Sequence, residues 1–305
     1  MSNKDKIVEV KELVKYYGSF CAVKNVSFDV YQGDVFGFLG PNGAGKSTTL
    51  RTLLSLISPT SGVLRLFGKD LLLHRSFILS KIGCIVEKPD FYKYLSAEKN
   101  LELFARISGG ELRKNQIHEL IDFVGLKGRE KDKVSGFSHG MKQRLGIAQT
   151  LIHDPDLIIL DEPTTGLDPQ GIIDIRNLIL QLKNEKNKTV ILSSHILSEI
   201  ELIANRMIII NKGETVVQGD VLELLNSQEL IVSFTVNNMA LAKQVLSNTI
   251  YINQVQMFLE NGILFHTSQE SIAEINRLFC SNNIDVSSIE TKRKLEDYFL
   301  KLIAN

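Results

Sequence analysis

The stretch from Gly40 to Thr48, GPNGAGKST, carries the clearest chemical pattern in the sequence. Gly40 and Gly45 enclose four residues, and Lys46 and Ser47 follow at once, which is the spacing of a phosphate-binding loop. Glycines let such a loop curl so that its backbone N–H groups point inward, and the start of a helix attracts an anion. We expect Lys46 to reach the β- and γ-phosphates of a nucleotide and the Ser47 hydroxyl to ligate Mg²⁺.

The residues on either side of this phosphate loop predict a strand before it and a helix after it. Residues 35–39 are a short apolar run, and residues 49–54 carry an apolar stripe at helical spacing. A glycine-rich turn with a chance lysine is the alternative, and the two flanking elements argue against it. The whole loop is therefore predicted to hold phosphate: Gly40, Pro41, Asn42, Gly43, Ala44, Gly45, Lys46, Ser47 and Thr48.

Two carboxylates stand at the end of another apolar run. Residues 157–160 are consecutive apolar residues, which predict a strand buried on both faces, and Asp161 and Glu162 follow them. Open α/β sheets bind ligands at the carboxyl ends of such strands, and an unpaired charge buried there is costly. We interpret Asp161 as a Mg²⁺ ligand and Glu162 as the group that polarises the attacking water or accepts its proton. A helix-capping acidic pair is the alternative.

Three further segments carry weaker signals for nucleotide binding. His195 follows a buried strand predicted over residues 189–194, which favours a sensor of the γ-phosphate, although a lone histidine is more often structural. Tyr17 lies beside a turn, where its ring could stack on a nucleobase or could simply be interfacial. Residues 134–140 form a small polar loop that opens a helix, which makes them a second candidate anion contact.

The composition limits the partners of the chain. Its 305 residues contain 35 Lys plus Arg and 35 Asp plus Glu, so the net charge of zero favours neither nucleic acid nor an acidic membrane surface. Three cysteines far apart in sequence indicate neither a disulfide framework nor a metal knuckle. The sequence contains no signal peptide and no apolar run long enough to span a membrane, so we expect a soluble cytoplasmic chain.

The elements that must position these residues follow the order of an α/β protein. A helical insertion of about residues 90–150 separates sheet elements, and a hairpin over residues 207–219 follows the last buried strand. The remaining predicted strands are antiparallel edge strands over residues 7–10, 21–23 and 26–30, and later strands over residues 62–68 and 81–87.

A second, smaller α+β domain is predicted over residues 223–305, after a first domain of residues 1–222. Its order of elements, β-α-β-β-α-β, is typical of a ferredoxin-like fold, and Asn261-Gly262 between apolar runs predicts a hairpin. Thr267 and Glu270 have the spacing of a capping box at the start of its second helix. A terminal helix with Leu295, Phe299 and Leu302 on one face is expected to pack in a core or a dimer, and we find no catalytic group in this domain.

The motifs of residues 5–222 resemble those of the ATP-binding cassette (ABC) family of transporter ATPases. The resemblance identifies the phosphate loop as Walker A and residues 157–162 as Walker B, with Glu162 as the catalytic glutamate. It likewise identifies residues 166–168 as the D-loop, which brings Asp168 to the nucleotide. His195 matches the switch histidine, and Tyr17, 29 residues before Lys46, matches the aromatic residue that stacks on adenine.

Two motifs depart from the family pattern. The signature LSGGQ appears as FSHGM, so Ser138 and Gly140 are retained while His139 and Met141 replace the first glycine and the glutamine. Glu87 replaces the Q-loop glutamine, so a charge stands where a neutral amide normally approaches the metal and the attacking water. The resemblance therefore implies that Glu87 is a catalytic and metal-binding residue. The alternative is that Glu87 is an acid on the surface. These departures, together with residues 295–299, resemble the bacitracin-export and lantibiotic-immunity branch.

In this family the signature of one cassette completes the phosphate site of another. The resemblance therefore implies a homodimer that holds Mg²⁺ and ATP between its copies, with Ser138, His139, Gly140 and Met141 contacting the partner's nucleotide. It implies a Mg-dependent ATPase that powers an exporter, and the narrower branch implies that the exported cargo is an antibiotic peptide. The chain would bind a permease subunit at the inner face of the membrane, through the surface near Glu87. The alternatives are a soluble ATPase acting on ribosomes or nucleic acid, and a regulatory module that barely hydrolyses ATP.

Overall fold

The computed structural model describes residues 5–110, 112–226 and 230–293. By its internal contacts the chain divides into two compact units, Met1–Val221 and Leu222–Asn305. None of the helices in the described ranges is long and apolar enough to cross a membrane. The predicted terminal helix with Leu295, Phe299 and Leu302 lies outside the described residues.

The first unit contains two sheets and seven helices within its described residues. Its strands are β1 (Lys6–Tyr17), β2 (Phe20–Tyr31), β3 (Val35–Leu39), β4 (Ser61–Leu66), β5 (Lys69–Asp70), β6 (Ile82–Ile85), β7 (Leu157–Leu160), β8 (Thr189–Ser194), β9 (Arg206–Asn211) and β10 (Glu214–Asp220). Its helices are α1 (Lys46–Leu53), α2 (Arg75–Leu79), α3 (Ala97–Ile107), α4 (Lys114–Phe123), α5 (His139–Thr150), α6 (Pro169–Asn184) and α7 (Leu197–Glu201).

A six-stranded sheet in the order β10-β9-β3-β8-β7-β6 forms the centre of this unit. Strands β9, β3, β8, β7 and β6 run parallel, and every residue of β3, β7 and β8 is buried. Such strands need apolar side chains on both faces, which explains the uninterrupted apolar runs in the sequence. Because the three strands are parallel neighbours, the residues that follow them, Gly40, Asp161 and His195, leave the sheet at the same edge.

A second sheet, in the order β2-β1-β4-β5, is antiparallel. The sequence predicts short separate strands here, whereas β1 and β2 are single strands of 12 residues each that form one long hairpin. Their pairing continues through several register shifts, and Asn25 adopts a positive φ of 55° inside β2. Such irregularities let one strand bend without ending, which interrupts the alternation that the sequence displays.

The helical insertion contains α3, α4 and α5, between β6 and β7. Helix α5 approaches β6 closely because two glycines lie at the contact. A Cβ atom at Gly83 in β6 would lie 2.4 Å from the carbonyl oxygen of Thr150, and one at Gly146 in α5 would lie 2.8 Å from the Pro89 side chain. The absence of these two side chains therefore sets the position of α5 against the sheet.

The second unit has the strand order β12-β13-β11-β14, with all neighbours antiparallel. Helix α8 (Val221–Asn226) precedes β11 (Leu230–Val236), α9 (Met239–Ser247), β12 (Val255–Phe258), β13 (Gly262–Thr267), α10 (Gln269–Ser281) and β14 (Val286–Arg293). Three fully buried rings, Phe234, Phe265 and Phe279, contact one another with centroids 5.4–6.4 Å apart and centre its core.

The predicted capping box at Thr267 is wrong. Helix α10 has Ser268 as its N-cap residue, and no side chain caps it. Thr267 is instead buried at the end of β13, where its hydroxyl donates a hydrogen bond of 2.8 Å to the side-chain oxygen of Gln254. The strand continues one residue further than the sequence pattern indicates, so the threonine side chain is used for packing between elements.

Gly83→Ala should lower the stability of the first unit. The added methyl group would meet the Thr150 carbonyl at 2.4 Å, and overpacking of this kind costs about 1–3 kcal/mol. We expect the unfolding midpoint measured by circular dichroism to fall by about 2–10 °C. Gly136→Ala is the matched control, since a Cβ there has no neighbour within 4 Å and Gly136 has no positive φ. Equal midpoints for the two variants would contradict the packing argument.

Candidate active site

The phosphate loop connects the end of β3 to the start of α1 and is enclosed by backbone from two other segments. A Cβ atom at Gly40 would lie 2.3 Å from the carbonyl oxygen of Ile210, and one at Gly45 would lie 2.7 Å from that of Ala22. Gly45 also has a φ of 104°, a backbone conformation that favours glycine. Helix α1 has no side-chain cap, so its first N–H groups are available to an anion.

The turn between β9 and β10 supports this loop. The Gly213 N–H donates a hydrogen bond of 3.0 Å to the Ala44 carbonyl, and the Lys24 N–H donates one of 2.7 Å to the Gly213 carbonyl. The sequence predicts the turn itself but not this contact. A glycine flanked by Asn211, Lys212 and Glu214 is a common hairpin signal, and nothing local shows which segment it packs against.

Lys46 is almost completely buried inside the loop, with 4% of its surface exposed. Its Nζ donates hydrogen bonds to the carbonyl oxygens of Gly40 at 2.7 Å and Pro41 at 3.3 Å. It also forms an ion pair with Oε1 of Glu162 at 3.3 Å. The structure thus brings together the two residues whose motifs are more than a hundred positions apart in the sequence.

A cavity of about 270 Å³ opens beside the loop, and we refer to it as the loop cavity. Tyr17 borders it with 46% of its surface exposed, and Lys15 Nζ lies 5.0 Å from the centroid of the Tyr17 ring. The sequence missed Phe20, which borders the same cavity and pairs with Tyr17 across the tip of the β1–β2 hairpin. The remaining lining residues are Ala22, Asn42, Gly43, Ala44, Gly45, Lys46, Ser47, Thr48 and Glu162.

The two carboxylates after β7 are held by a buried serine at the end of β8. Ser193 Oγ donates a hydrogen bond of 2.5 Å to Oδ1 of Asp161 and accepts one of 2.8 Å from the backbone N–H of Glu162. Asp161 and Ser193 are both buried. Glu162 has a φ of 47°, a left-handed conformation that turns the chain so that the two adjacent carboxylates diverge.

The Glu162 carboxylate has three neighbours. Thr165 Oγ1 donates a hydrogen bond of 2.9 Å to Oε2, Lys46 faces Oε1, and His195 Nδ1 lies 3.4 Å from Oε2 without a hydrogen bond of good geometry. Burial raises the pKa of Glu162, but the Thr165 hydrogen bond and the Lys46 charge outweigh it, so the pKa of this carboxyl lies below its usual range. Glu162 is therefore ionised at neutral pH and is able to accept a proton.

A third carboxylate, that of Glu199, joins the segments that follow β7 and β8, and no pattern in the sequence indicates it. Glu199 Oε2 accepts hydrogen bonds from Thr164 Oγ1 at 2.8 Å and from Ser194 Oγ at 3.0 Å. Because Glu199 lies in α7 and Thr164 follows the Glu162 segment, this oxygen links the loops after both strands. The contact keeps His195, which stands between Ser194 and α7, beside Glu162.

The signature residues and Asp168 lie next to each other but do not line the loop cavity of their own chain. Ser138 is the N-cap of α5 and accepts a hydrogen bond of 3.2 Å from the Met141 N–H. His139 Nε2 lies 3.2 Å from the Thr165 carbonyl oxygen, and a Cβ at Gly140 would be 3.9 Å from Leu167. Asp168 caps α6 through the Gly171 N–H at 2.9 Å.

Glu87 lies outside the loop cavity. It has a φ of 70°, its side chain is 71% exposed, and it forms an ion pair with Arg51 in the last turn of α1. It borders a different cavity, of about 640 Å³, together with His139. The other lining residues of that cavity are Lys88, Pro89, Asp90, Lys93 and Lys142. The structure thus groups the two departures from the family pattern with each other, at a cavity that Lys46 does not line.

Comparisons with known proteins agree with this geometry. The sequence profile described as ABC transporter matches residues 23–165. The chain is 42% identical over 298 residues to the bacitracin transport ATP-binding protein BcrA of Bacillus licheniformis, covering 97% of both proteins. The chain belongs to the ABC transporter family. It is also 41% identical over 224 residues to the lantibiotic transport ATP-binding protein SrtF of Streptococcus pyogenes, covering 73% of this chain and 95% of that protein.

Solved structures support the cassette fold. The ATP-binding cassette MJ0796, solved as a dimer in a post-hydrolysis state bound to ADP and Pi, superposes with a TM-score of 0.63 at 26% identity, over 70% of this chain and 99% of that one. The chain of cbiO1 from Clostridium perfringens, part of a transporter complex, gives a TM-score of 0.66 at 24% identity, over 82% of this chain and 98% of that one, which supports the fold alone. The first unit is an ATP-binding ABC ATPase cassette.

The oxygen atoms of this cassette fit a magnesium ion that accompanies ATP. Within the described ranges, no three His, Cys, Asp or Glu side chains cluster as a metal site. Mg²⁺ commonly takes one or two protein ligands and completes its shell with phosphate oxygens and water, so a large cluster is not needed. Asp161, oriented by Ser193, and Ser47, at the start of α1, are the oxygen donors that suit it. Glu87, the third predicted ligand, is paired with Arg51 and borders a different cavity.

Ser193→Ala should reduce ATP turnover by about tenfold. The change leaves Asp161 and the Glu162 N–H without their shared partner, and an unmade buried hydrogen bond costs about 1–3 kcal/mol. Turnover is measured by phosphate release at saturating ATP, after circular dichroism has shown that the variant is folded. Ser198→Ala, at an exposed serine of α7, is the control and should match the wild type. Turnover within twofold of wild type in Ser193→Ala would contradict the positioning role of this hydroxyl.

Proposed function

We propose that this chain is the ATP-hydrolysing subunit of an exporter of peptide antibiotics, and that two copies bind one membrane permease. The observation that carries the enzymatic part is the Glu162 carboxylate, which is ionised and faces Lys46 across the loop cavity. A carboxylate in this position is suited to accept the proton of a water that attacks the γ-phosphate. The chain itself would act from the cytoplasmic face of the membrane.

The similar proteins support the proposal that the cargo is a peptide antibiotic. Both the bacitracin transport protein of Bacillus licheniformis and its counterpart in Enterococcus faecalis, 37% identical and matched over 97% of this chain and 96% of that protein, align across both units. The likeness to a lantibiotic transport protein points to the same chemical class of cargo, a membrane-active peptide.

The placement of Ser138, His139, Gly140 and Met141 supports the pairing of two copies. None of the four lines the loop cavity of its own chain, so a contact of Ser138 and Gly140 with phosphate requires a second cassette. Ser138 and the start of α5 offer a hydroxyl and backbone N–H groups, which suit an anion. The dimeric arrangement of the similar cassette bound to ADP and Pi is consistent with this proposal.

Each candidate site residue has a distinct part in the proposed reaction. Bound Mg²⁺ would neutralise charge on the β- and γ-phosphates, and Asp161 and Ser47 would hold it. Lys46 would exchange its loop carbonyls for phosphate oxygens, and Tyr17 would stack on the base. Glu162 would accept the proton of the attacking water while His195 contacts the γ-phosphate. Asp168 would hold the start of α6, three residues beyond Thr165, through its bond with the Gly171 N–H.

Glu162→Gln should lower ATP turnover by about 10²- to 10⁴-fold, because the amide cannot accept the proton, while ATP binding is retained. Turnover is measured by phosphate release and binding by the fluorescence of a labelled ATP analogue. Glu185→Gln, at an exposed position after α6, is the control and should keep wild-type values. Wild-type turnover in Glu162→Gln would refute the role assigned to Glu162.

Glu87→Gln tests the proposed contact with the permease. Because Glu87 is exposed and lies outside the loop cavity, the substitution should lower permease-stimulated turnover more than the turnover of the chain alone, by about threefold or more. Both values are measured by phosphate release, with the permease reconstituted in proteoliposomes. An equal fall in the two would place Glu87 in the chemistry instead. Absence of turnover in wild type and variant alike, even with the permease, would favour a regulatory module.

A further inference from the structure

A continuous chain of polar contacts runs from the start of α5 to the centre of the loop cavity. His139 Nε2 lies 3.2 Å from the Thr165 carbonyl oxygen, and Thr165 Oγ1 lies 2.9 Å from Oε2 of Glu162. The other oxygen of Glu162 lies 3.3 Å from Lys46 Nζ. One residue, Thr165, therefore contacts the histidine through its backbone and the glutamate through its side chain.

The chemistry of the first contact decides which imidazole nitrogen carries a proton. A backbone carbonyl only accepts hydrogen bonds, so Nε2 of His139 must be the donor. Glycine, the family residue at this position, has no side chain and cannot make this bond. His139 thus gives the Thr165 carbonyl a side-chain hydrogen-bond donor that the family pattern lacks.

The surroundings of Thr165 explain why such a donor matters. The segment between Glu162 and α6 lacks regular structure, and Glu162 and Gly166 on either side of Thr165 both have positive φ values, 47° and 76°. A Cβ at Gly166 would lie 3.7 Å from the His139 ring, so the imidazole also packs against the backbone beyond Thr165. Glu199 anchors the preceding residue, Thr164, by a hydrogen bond of 2.8 Å, and His139 is the side chain that holds the Thr165 carbonyl itself.

We propose that His139 is a positioning residue for Glu162 of its own chain, acting through Thr165. This inference rests on the proposed hydrolysis of ATP by Glu162. His139 does not touch the reacting atoms: it holds the Thr165 carbonyl, and the Thr165 hydroxyl in turn orients the carboxylate toward the attacking water.

The kinetic test compares His139→Leu, which removes the donor, with His139→Gln, whose side-chain amide can reach the same distance along the chain. We expect His139→Leu to lower kcat by about three- to tenfold with the KM for ATP unchanged within about twofold, and His139→Gln to recover most of kcat. His118→Leu is the control, because His118 pairs with Glu98 in the helical insertion and should leave kcat unchanged. Unchanged kcat in His139→Leu, or no recovery in His139→Gln, would overturn the proposal.

A double-mutant cycle with Thr165→Val separates this route from a direct action of His139 on the nucleotide of a second copy. If His139 acts through Thr165, the double variant should have the kcat of Thr165→Val alone, within about twofold. A kcat reduced by the product of the two single effects would overturn the proposal. A second measurement uses analytical ultracentrifugation to find the ATP concentration at which half of the chains are dimeric. If that concentration rises more than about tenfold when His139→Leu is added to Glu162→Gln, the proposal is likewise overturned.

A spectroscopic readout does not depend on turnover. In the full chain without nucleotide, the imidazole ¹⁵N shifts of His139, assigned with His139→Gln as reference, should show the proton on Nε2. A proton on Nδ1 would overturn the proposal even if the enzyme is active. A different outcome is a proton on Nε2 in a wild-type chain that hydrolyses no ATP even with its permease. That result would support the His139–Thr165 bond but would refute both the proposed function and the role of His139 in positioning Glu162.

Discussion

The parallel alignment of β3, β8 and β7 is the constraint on which the rest of the structure depends. Backbone hydrogen bonds fix the register, with Leu39 beside Ser194 and Leu160 beside Leu192. The phosphate loop, the paired carboxylates and His195 therefore follow strand ends at one edge of one sheet. Because each strand is buried on both faces, its apolar side chains hold this alignment. The polar groups of the site stand at the carboxyl ends of the strands, in the last two residues of β8 and in the residues that follow β3, β7 and β8.

Small contacts between the strand ends convert this alignment into an active site. Ser193 connects Asp161 to the backbone of Glu162, and Glu199 connects the segments after β7 and β8. Each of these groups satisfies a polar atom that would be costly to bury alone, so the same bonds that stabilise the cassette orient its reactive groups. Thr165 extends this network to the helical insertion, because its carbonyl contacts His139 and its hydroxyl donates a hydrogen bond to Glu162.

Much of this arrangement is predictable from the sequence, and the exceptions have physical causes. Gly40, Asp161 and His195 are predictable because each follows a predicted buried strand, and Lys46 is predictable from the glycine spacing of its loop. The merging of the early strands into one hairpin was not, because irregular pairing at Asn25 breaks the two-residue period. Phe20, Ser193 and Glu199 act only through contacts between distant segments, for which spacing along the chain carries no signal. Thr267 was mistaken for a cap because a capping pattern and a buried strand end look alike in sequence.

The left-handed backbone at Glu162 has an evolutionary consequence. A side chain in this conformation costs about 1 kcal/mol that glycine would avoid, and asparagine would reduce that cost. The position therefore offers a lower backbone free energy to glycine or asparagine, neither of which carries the carboxylate. A population selected for heat resistance alone would be drawn away from glutamate here, whereas one selected for the work of the cassette must bear the cost, so stability and activity are in direct competition at a single residue.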